Sequence, residues 1–190
     1  MSKSIIIDNF LDQEKFDDLQ TLMHRTIFPW YYSDGIDFGI QSDDGRVVYP
    51  KERDRDKFMF THTFLYKSIP CSNFYKNLIP ILEIINPLSV WRIKANLLTR
   101  TPNIIENLYH HDISHYDDEN GKTINPEKLK QWTTSILYMN TNNGYTKFED
   151  GTKVESIANR LVTFPANMKH TGTSCTDEKT RVVINFNYFK

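Results

Sequence analysis

The chain has 190 residues, enough for one domain with a sizeable core, and its 39% hydrophobic and 25% charged content is that of an ordinary globular protein. A net charge of −1 gives no electrostatic footprint for nucleic acid or a membrane surface. The two cysteines, Cys71 and Cys175, cannot build a disulfide framework, which points to a reducing compartment. Residues 1–8 lack the apolar core of a secretory signal, and the most apolar stretch, 78–90, is interrupted by Pro80, Glu83, Asn86 and Pro87. The expectation is a soluble, cytoplasmic protein with no nucleic-acid or membrane partner.

Ile5-Ile6-Ile7 predicts a short strand, followed by a helix over 13–25 that Asp12 caps and whose Phe16, Leu19, Leu22 and Met23 share one face. Phe28 to Tyr32 form an aromatic cluster suited to core or sheet-edge packing, or to a wall of a substrate pocket. Residues 33–57 carry charges of mixed sign, as a solvated loop or a flap does. A strand over 58–66 contains His62, read as structural. Residues 72–85 have helical periodicity that Pro80 should kink or divide. The strand 90–97 puts Trp91, Ile93, Ala95 and Leu97 on one face and Arg92, Lys94 and Asn96 on the other.

A strand over 107–112 comes next, then hydrophilic residues 113–131, the better placed of the two loops to act as a lid. Further strands are expected at 132–140, 145–148, 153–157, 160–164 and 181–189. Asn142-Asn143-Gly144 predicts a hairpin turn and Asp150-Gly151 a second turn. No repeat or linker divides the chain, so residues 1–190 are read as a single domain. Its class is mainly β (α+β), an antiparallel sandwich or barrel with the N-terminal helices packed outside.

On a strand, His110 and Asp112 point the same way and His111 points away. With one distant histidine they make a 2-His-1-carboxylate set, the ligands of non-haem Fe(II) oxygenases. A lone His-x-Asp arises often by chance, so the last strand matters. Its Val182, Ile184, Phe186 and Tyr188 form an apolar face, and Arg181, Val183, Asn185 and Asn187 the opposite one. That second face either meets solvent or lines a barrel. In a barrel, a buried Arg181 needs an anion, and a carboxylate suits its planar fork. His111 and His115 have the spacing of a helical zinc pair but lack the glutamate between them.

These residues resemble the Fe(II)/2-oxoglutarate-dependent dioxygenases, in particular their prolyl 4-hydroxylase-like branch. The similarity covers roughly 88–190: His110-x-Asp112, the approach Phe164 to Gly172 around the distal His170, and Arg181 to Phe186 on the closing strand. Leu137-Tyr138-Met139-Asn140 is similar to the family's Tyr-Leu-Asn strand. Two departures stand out: Asn96 replaces a tyrosine, and the small-residue pair before the sixth strand is reduced to Asn143-Gly144.

The resemblance implies a double-stranded β-helix (jelly roll, cupin-like) core. It implies Fe(II) on His110, Asp112 and His170, and 2-oxoglutarate with its far carboxylate on Arg181 and Tyr138. Asn96 would be a further cosubstrate contact, and Asn185 would touch the cosubstrate or a metal ligand. Ascorbate would serve as an accessory reductant. The implied reaction is hydroxylation of a C–H bond of a protein or peptide side chain, with 2-oxoglutarate and O2 converted to succinate and CO2. The alternatives are the same chemistry on a free amino acid, a small metabolite or a nucleobase, and a non-catalytic cupin-like metal-binding module.

Overall fold

The computed structural model describes residues 4–36, 40–41, 47–48, 57–113 and 130–190. Most of the expected flap and lid, and His115, lie outside the described residues. In chain order the elements begin with β1 (Ile5–Ile7), α1 (Gln13–His24), β2 (Tyr31–Ser33), β3 (Ile40–Gln41), β4 (Val47–Val48), β5 (Met59–Tyr66) and β6 (Ile69–Pro70). A 3-10 helix (Asn73–Leu78), α2 (Ile79–Ile85) and β7 (Ser89–Thr99) follow. The chain ends with β8 (Trp132–Tyr138), β9 (Tyr145–Phe148), β10 (Lys153–Glu155), β11 (Arg160–Pro165), β12 (His170–Gly172) and β13 (Thr180–Phe189). Among the described residues, no helix is long and apolar enough to cross a membrane.

The strands form an eight-stranded antiparallel sheet in the order β1-β11-β8-β13-β7-β5-β2, with β6 on β5, and a three-stranded sheet in the order β10-β9-β12. The two-faced sequence of β13 explains how they stack. Val182, Ile184, Phe186 and Tyr188 pack outward against Phe16, Leu19 and Met23 of α1 and Ile81 and Ile85 of α2. Val183 packs inward in a second cluster with Ile136, Tyr138, Val162 and Phe164 of the large sheet and Phe148 and Val154 of the small one. Burying such a side chain is worth roughly 1.5–3 kcal/mol, so both contacts pull the layers together. The result is the expected jelly roll with helices outside.

Local sequence rules hold for most elements and fail informatively at a few. Asp12 takes the N-cap position of α1, yet its side chain caps nothing and pairs with Lys15 at 3.4 Å. Pro80 stands at the start of α2, where its missing N–H is harmless, and so divides the helical segment into a 3-10 piece and an α piece. The Asp150-Gly151 turn does close a hairpin between β9 and β10, with Gly151 at φ +86°.

The Asn142-Asn143-Gly144 stretch does not close a hairpin. It carries the chain from β8 in the large sheet to β9 in the small one. Neither Asn143 nor Gly144 has the positive φ that a type I′ turn requires. Glycine is needed at 144 for space: a Cβ there would lie 2.6 Å from Arg181 Cδ and 2.7 Å from the Ser174 carbonyl oxygen. Residues 107–112 also depart from expectation. They form no continuous strand: Asn107 N–H donates to the Gly172 carbonyl at 3.2 Å and His110 bridges His170, while the other isolated bridge, Glu106 with Thr173, falls just before them.

Candidate active site

Extended backbone, even without a continuous strand, still alternates its side chains. His110 and Asp112 therefore face one way, while His111 turns aside and its Nε2 lies 3.2 Å from the Asn167 carbonyl. The bridge to β12 supplies the third group. His110 and His170 exchange both backbone hydrogen bonds, 2.9 and 3.0 Å, which sets their rings side by side at 4.8 Å. One ligand atom from each of His110, Asp112 and His170 lies within 4.8 Å of the others.

Both imidazoles are oriented alike. Nδ1 of His110 lies 3.1 Å from the Leu108 carbonyl, and Nδ1 of His170 lies 3.4 Å from that of Met168. A carbonyl only accepts, so each Nδ1 carries the proton and leaves the Nε2 lone pair free. Those Nε2 atoms stand 3.8 and 3.9 Å from Asp112 Oδ1. Burial pushes His170 down to about 4, which keeps it neutral at neutral pH. Phe164 packs edge-on against its ring at 4.8 Å.

Asp112 is buried, and burial alone would raise its pKa. His170, Arg92 and His110 nearby, with the Asn187 amide, outweigh that and hold it at about 2. Arg92 is the permanent charge among these. Its Nη2 donates to the Asp112 carbonyl at 2.8 Å and lies 3.5 Å from Asp112 Oδ1, while its Nε donates to Asn187 at 3.0 Å. Asn185 and Asn187 donate to the Asp112 carboxylate at 3.2–3.3 Å. Asn185 therefore serves the carboxylate of the triad; its own Oδ1 is buried without a partner.

At the other end of β13, Arg181 is 2% exposed. Its Nε donates to Ser156 at 2.8 Å and its Nη2 to Thr146 at 3.3 Å. Tyr138 donates to the same Thr146 oxygen at 2.8 Å, and its ring lies 5.6 Å from the guanidinium. Burial pulls the Arg181 pKa down, and no carboxylate among the described residues forms an ion pair with it. Desolvating a guanidinium without an acid is costly.

Asn96 lies on the inner face of the large sheet, between Val183 of β13 and Thr61 of β5. Its Oδ1 is buried and unbonded, and it touches neither the triad nor Arg181 by hydrogen bond. Sequence reading placed Arg92 and Asn187 on the correct face and gave them no role. Their support of Asp112 depends on residues 20 and 75 positions away, a separation that no local pattern encodes.

No family model matches the chain, and no curated protein matches it. Solved structures do. A prolyl hydroxylase from Trichoplax adhaerens, in complex with a hypoxia inducible factor oxygen degradation domain peptide fragment, superposes at TM-score 0.61 with 13% identity, over 98% of this chain and 83% of that one. SnoN, a non-heme alpha ketoglutarate dependent epimerase from nogalamycin biosynthesis, gives 0.64 with 11% identity, over 100% and 79%. A Pseudomonas putida prolyl-4-hydroxylase gives 0.56 with 12% identity, over 100% and 93%. The chain has the jelly-roll fold of the 2-oxoglutarate- and Fe(II)-dependent oxygenases, prolyl hydroxylases among them.

Proposed function

We propose that this protein is an Fe(II)- and 2-oxoglutarate-dependent dioxygenase that hydroxylates a C–H bond. The carrying observation is the pairing of two unlike sites on one inner wall. One is a cluster of two imidazoles and a carboxylate; the other is a buried arginine with no acid partner among the described residues. The nitrogen and oxygen donors of His110, His170 and Asp112 fit a divalent first-row metal with positions left open. When bound with 2-oxoglutarate and O2, such a metal supplies the oxidising power, and succinate and CO2 leave.

The chain's own residues do the rest. His110 and His170 present Nε2 lone pairs, fixed by the proton each Nδ1 shares with a backbone carbonyl. Arg92, Asn185 and Asn187 fix the Asp112 carboxylate and keep it ionised. Arg181 would hold the far carboxylate of the cosubstrate, and Tyr138, whose hydroxyl donates to Thr146, would turn to the same group. Phe148, Phe164 and Val183 keep water from the wall between the two sites. A metal module without turnover would have no use for the costly, unpaired Arg181.

The likeness to two prolyl hydroxylases makes a protein or peptide side chain the first substrate class. A small molecule is the second, favoured by Lys94, a half-buried lysine of the inner face with no ion pair among the described residues. The test is an anaerobic titration with Fe(II) and 2-oxoglutarate, read by the visible charge-transfer band, then exposure to O2 in the presence of ascorbate. A band followed by succinate supports the reading; neither band nor succinate overturns it.

A further inference from the structure

Lys94 is the group the proposed reaction leaves unused. It lies on the inner face of β7, opposite Asn185 of β13 on one side and Thr63 of β5 on the other. It is half-buried, and among the described residues it makes no hydrogen bond and no ion pair. Its inner-face neighbour Arg92 is committed to Asp112 and Asn187. Beside it stand two buried amide oxygens without partners, Asn96 Oδ1 and Asn185 Oδ1. Burial, and then the Arg92 charge, bring the Lys94 pKa down to about 8 against an opposing pull from Asp112.

The charge balance of the inner wall points the same way. Among the described residues, Arg92, Lys94 and Arg181 face a single buried acid, Asp112. Fe(II) and 2-oxoglutarate bring equal and opposite charge, so loading both leaves the cationic excess standing. The cosubstrate does not reach this lysine by the route already described. Tyr138, Thr146 and Ser156 lie on the β8 flank of β13 and on the small sheet, whereas Lys94 lies on the β7 flank. A second anion therefore belongs there.

We infer that Lys94 pairs with the carboxylate of a small, free-acid substrate held beside Asp112, with Asn96 and Asn185 accepting hydrogen bonds from its polar groups. This rests on the oxygenase reading above and, of its two substrate classes, selects the small molecule over the peptide. The register places Lys94 directly opposite Asn185, which itself holds Asp112, so the anion and the reacting carbon are about one side chain apart. A free acid carries its carboxylate a few bonds from its reacting carbon. Along an extended peptide, the next side chain on the same face is roughly 7 Å on, and the adjacent one points away.

The test uses the full chain loaded with Mn(II) and N-oxalylglycine, an unreactive analogue of 2-oxoglutarate, so that binding is read by calorimetry without turnover. The probes are a set of free amino and hydroxy acids, their primary amides, and end-capped tripeptides bearing one glutamate. The expected result is that at least one acid binds tenfold or more tightly than its amide. Lys94→Met should erase that preference and Lys94→Arg should keep it, with N-oxalylglycine affinity within twofold of wild type in both.

Equal binding of acids and amides, or no binding of either, overturns the inference. So does tighter binding of the glutamyl peptides, which would give the anion to a peptide. A tenfold loss of N-oxalylglycine affinity in Lys94→Met also overturns it, by assigning the lysine to the cosubstrate. Failure of the wild type to take up Mn(II) and N-oxalylglycine would be a different result, counting against the oxygenase reading itself.

Discussion

The two ends of the inner face of β13 follow opposite electrostatic plans. Around Asp112, one buried anion is met by Arg92, Asn185 and Asn187, all from the large sheet, and the protein satisfies its own charge. Around Arg181, one buried cation donates, among the described residues, to the hydroxyls of Ser156 and Thr146 alone. The first end is finished before any ligand arrives, as suits a group that must be held still to bind a metal. The second has no acid among the described residues, as the proposed role of Arg181 as cosubstrate anchor requires.

That contrast can be broken from either end. Asp112→Ala should have the largest effect, loss of measurable Fe(II) binding, because it removes a ligand and leaves Arg92 without its acid. Arg181→Ala should raise the dissociation constant for 2-oxoglutarate by about 30-fold or more while Fe(II) affinity holds, since truncating one side of a buried charge pair costs about 2–5 kcal/mol. An equal loss of Fe(II) affinity would show that the two ends are not separate.

Asn187→Ala should weaken Fe(II) binding by roughly 10–100-fold and leave 2-oxoglutarate binding to a saturated metal site nearly unchanged. Its mirror image is Gly144→Ala, whose new Cβ would strike the Arg181 side chain. That substitution should cost about 1–3 kcal/mol in denaturant melts and should loosen 2-oxoglutarate more than Fe(II). The smallest effect should come from His111→Ala, whose ring faces Asn167 and not the triad. Fe(II) affinity within twofold of wild type is expected, and abolished binding would mean the alternation of 110–112 has been misassigned.

Much of this site was legible along the chain. Alternation chose His110 over His111, and it separated the apolar face of β13 from the face that carries Arg181, because side-chain direction on extended backbone is a local property. The resemblance supplied His170 and Tyr138 as partners. The Asn143-Gly144 pair misled because one residue type answers two needs. Glycine serves where φ is positive and also where another group comes too close for a Cβ, and only the packed neighbour, here Arg181, tells them apart. The continuous strand expected over 107–112 failed because ladder hydrogen bonds need a partner strand along the whole segment, and β12 meets its backbone at Asn107 and again at His110 with a gap between.

The sequence alone therefore determined the periodicities, the two faces of each strand and the set of groups able to bind a metal and an anion. Only the tertiary structure decided which charges meet. Asp112 acquires Arg92, Asn185 and Asn187 because β7 and β13 lie side by side beneath it, and Arg181 meets hydroxyls among the described residues because the crossing at Gly144 brings Thr146 and the end of β10 brings Ser156. Lys94 is left over by the same arrangement. Whether a charge is satisfied depends on what arrives from distant parts of the chain, and no pattern of near neighbours records that.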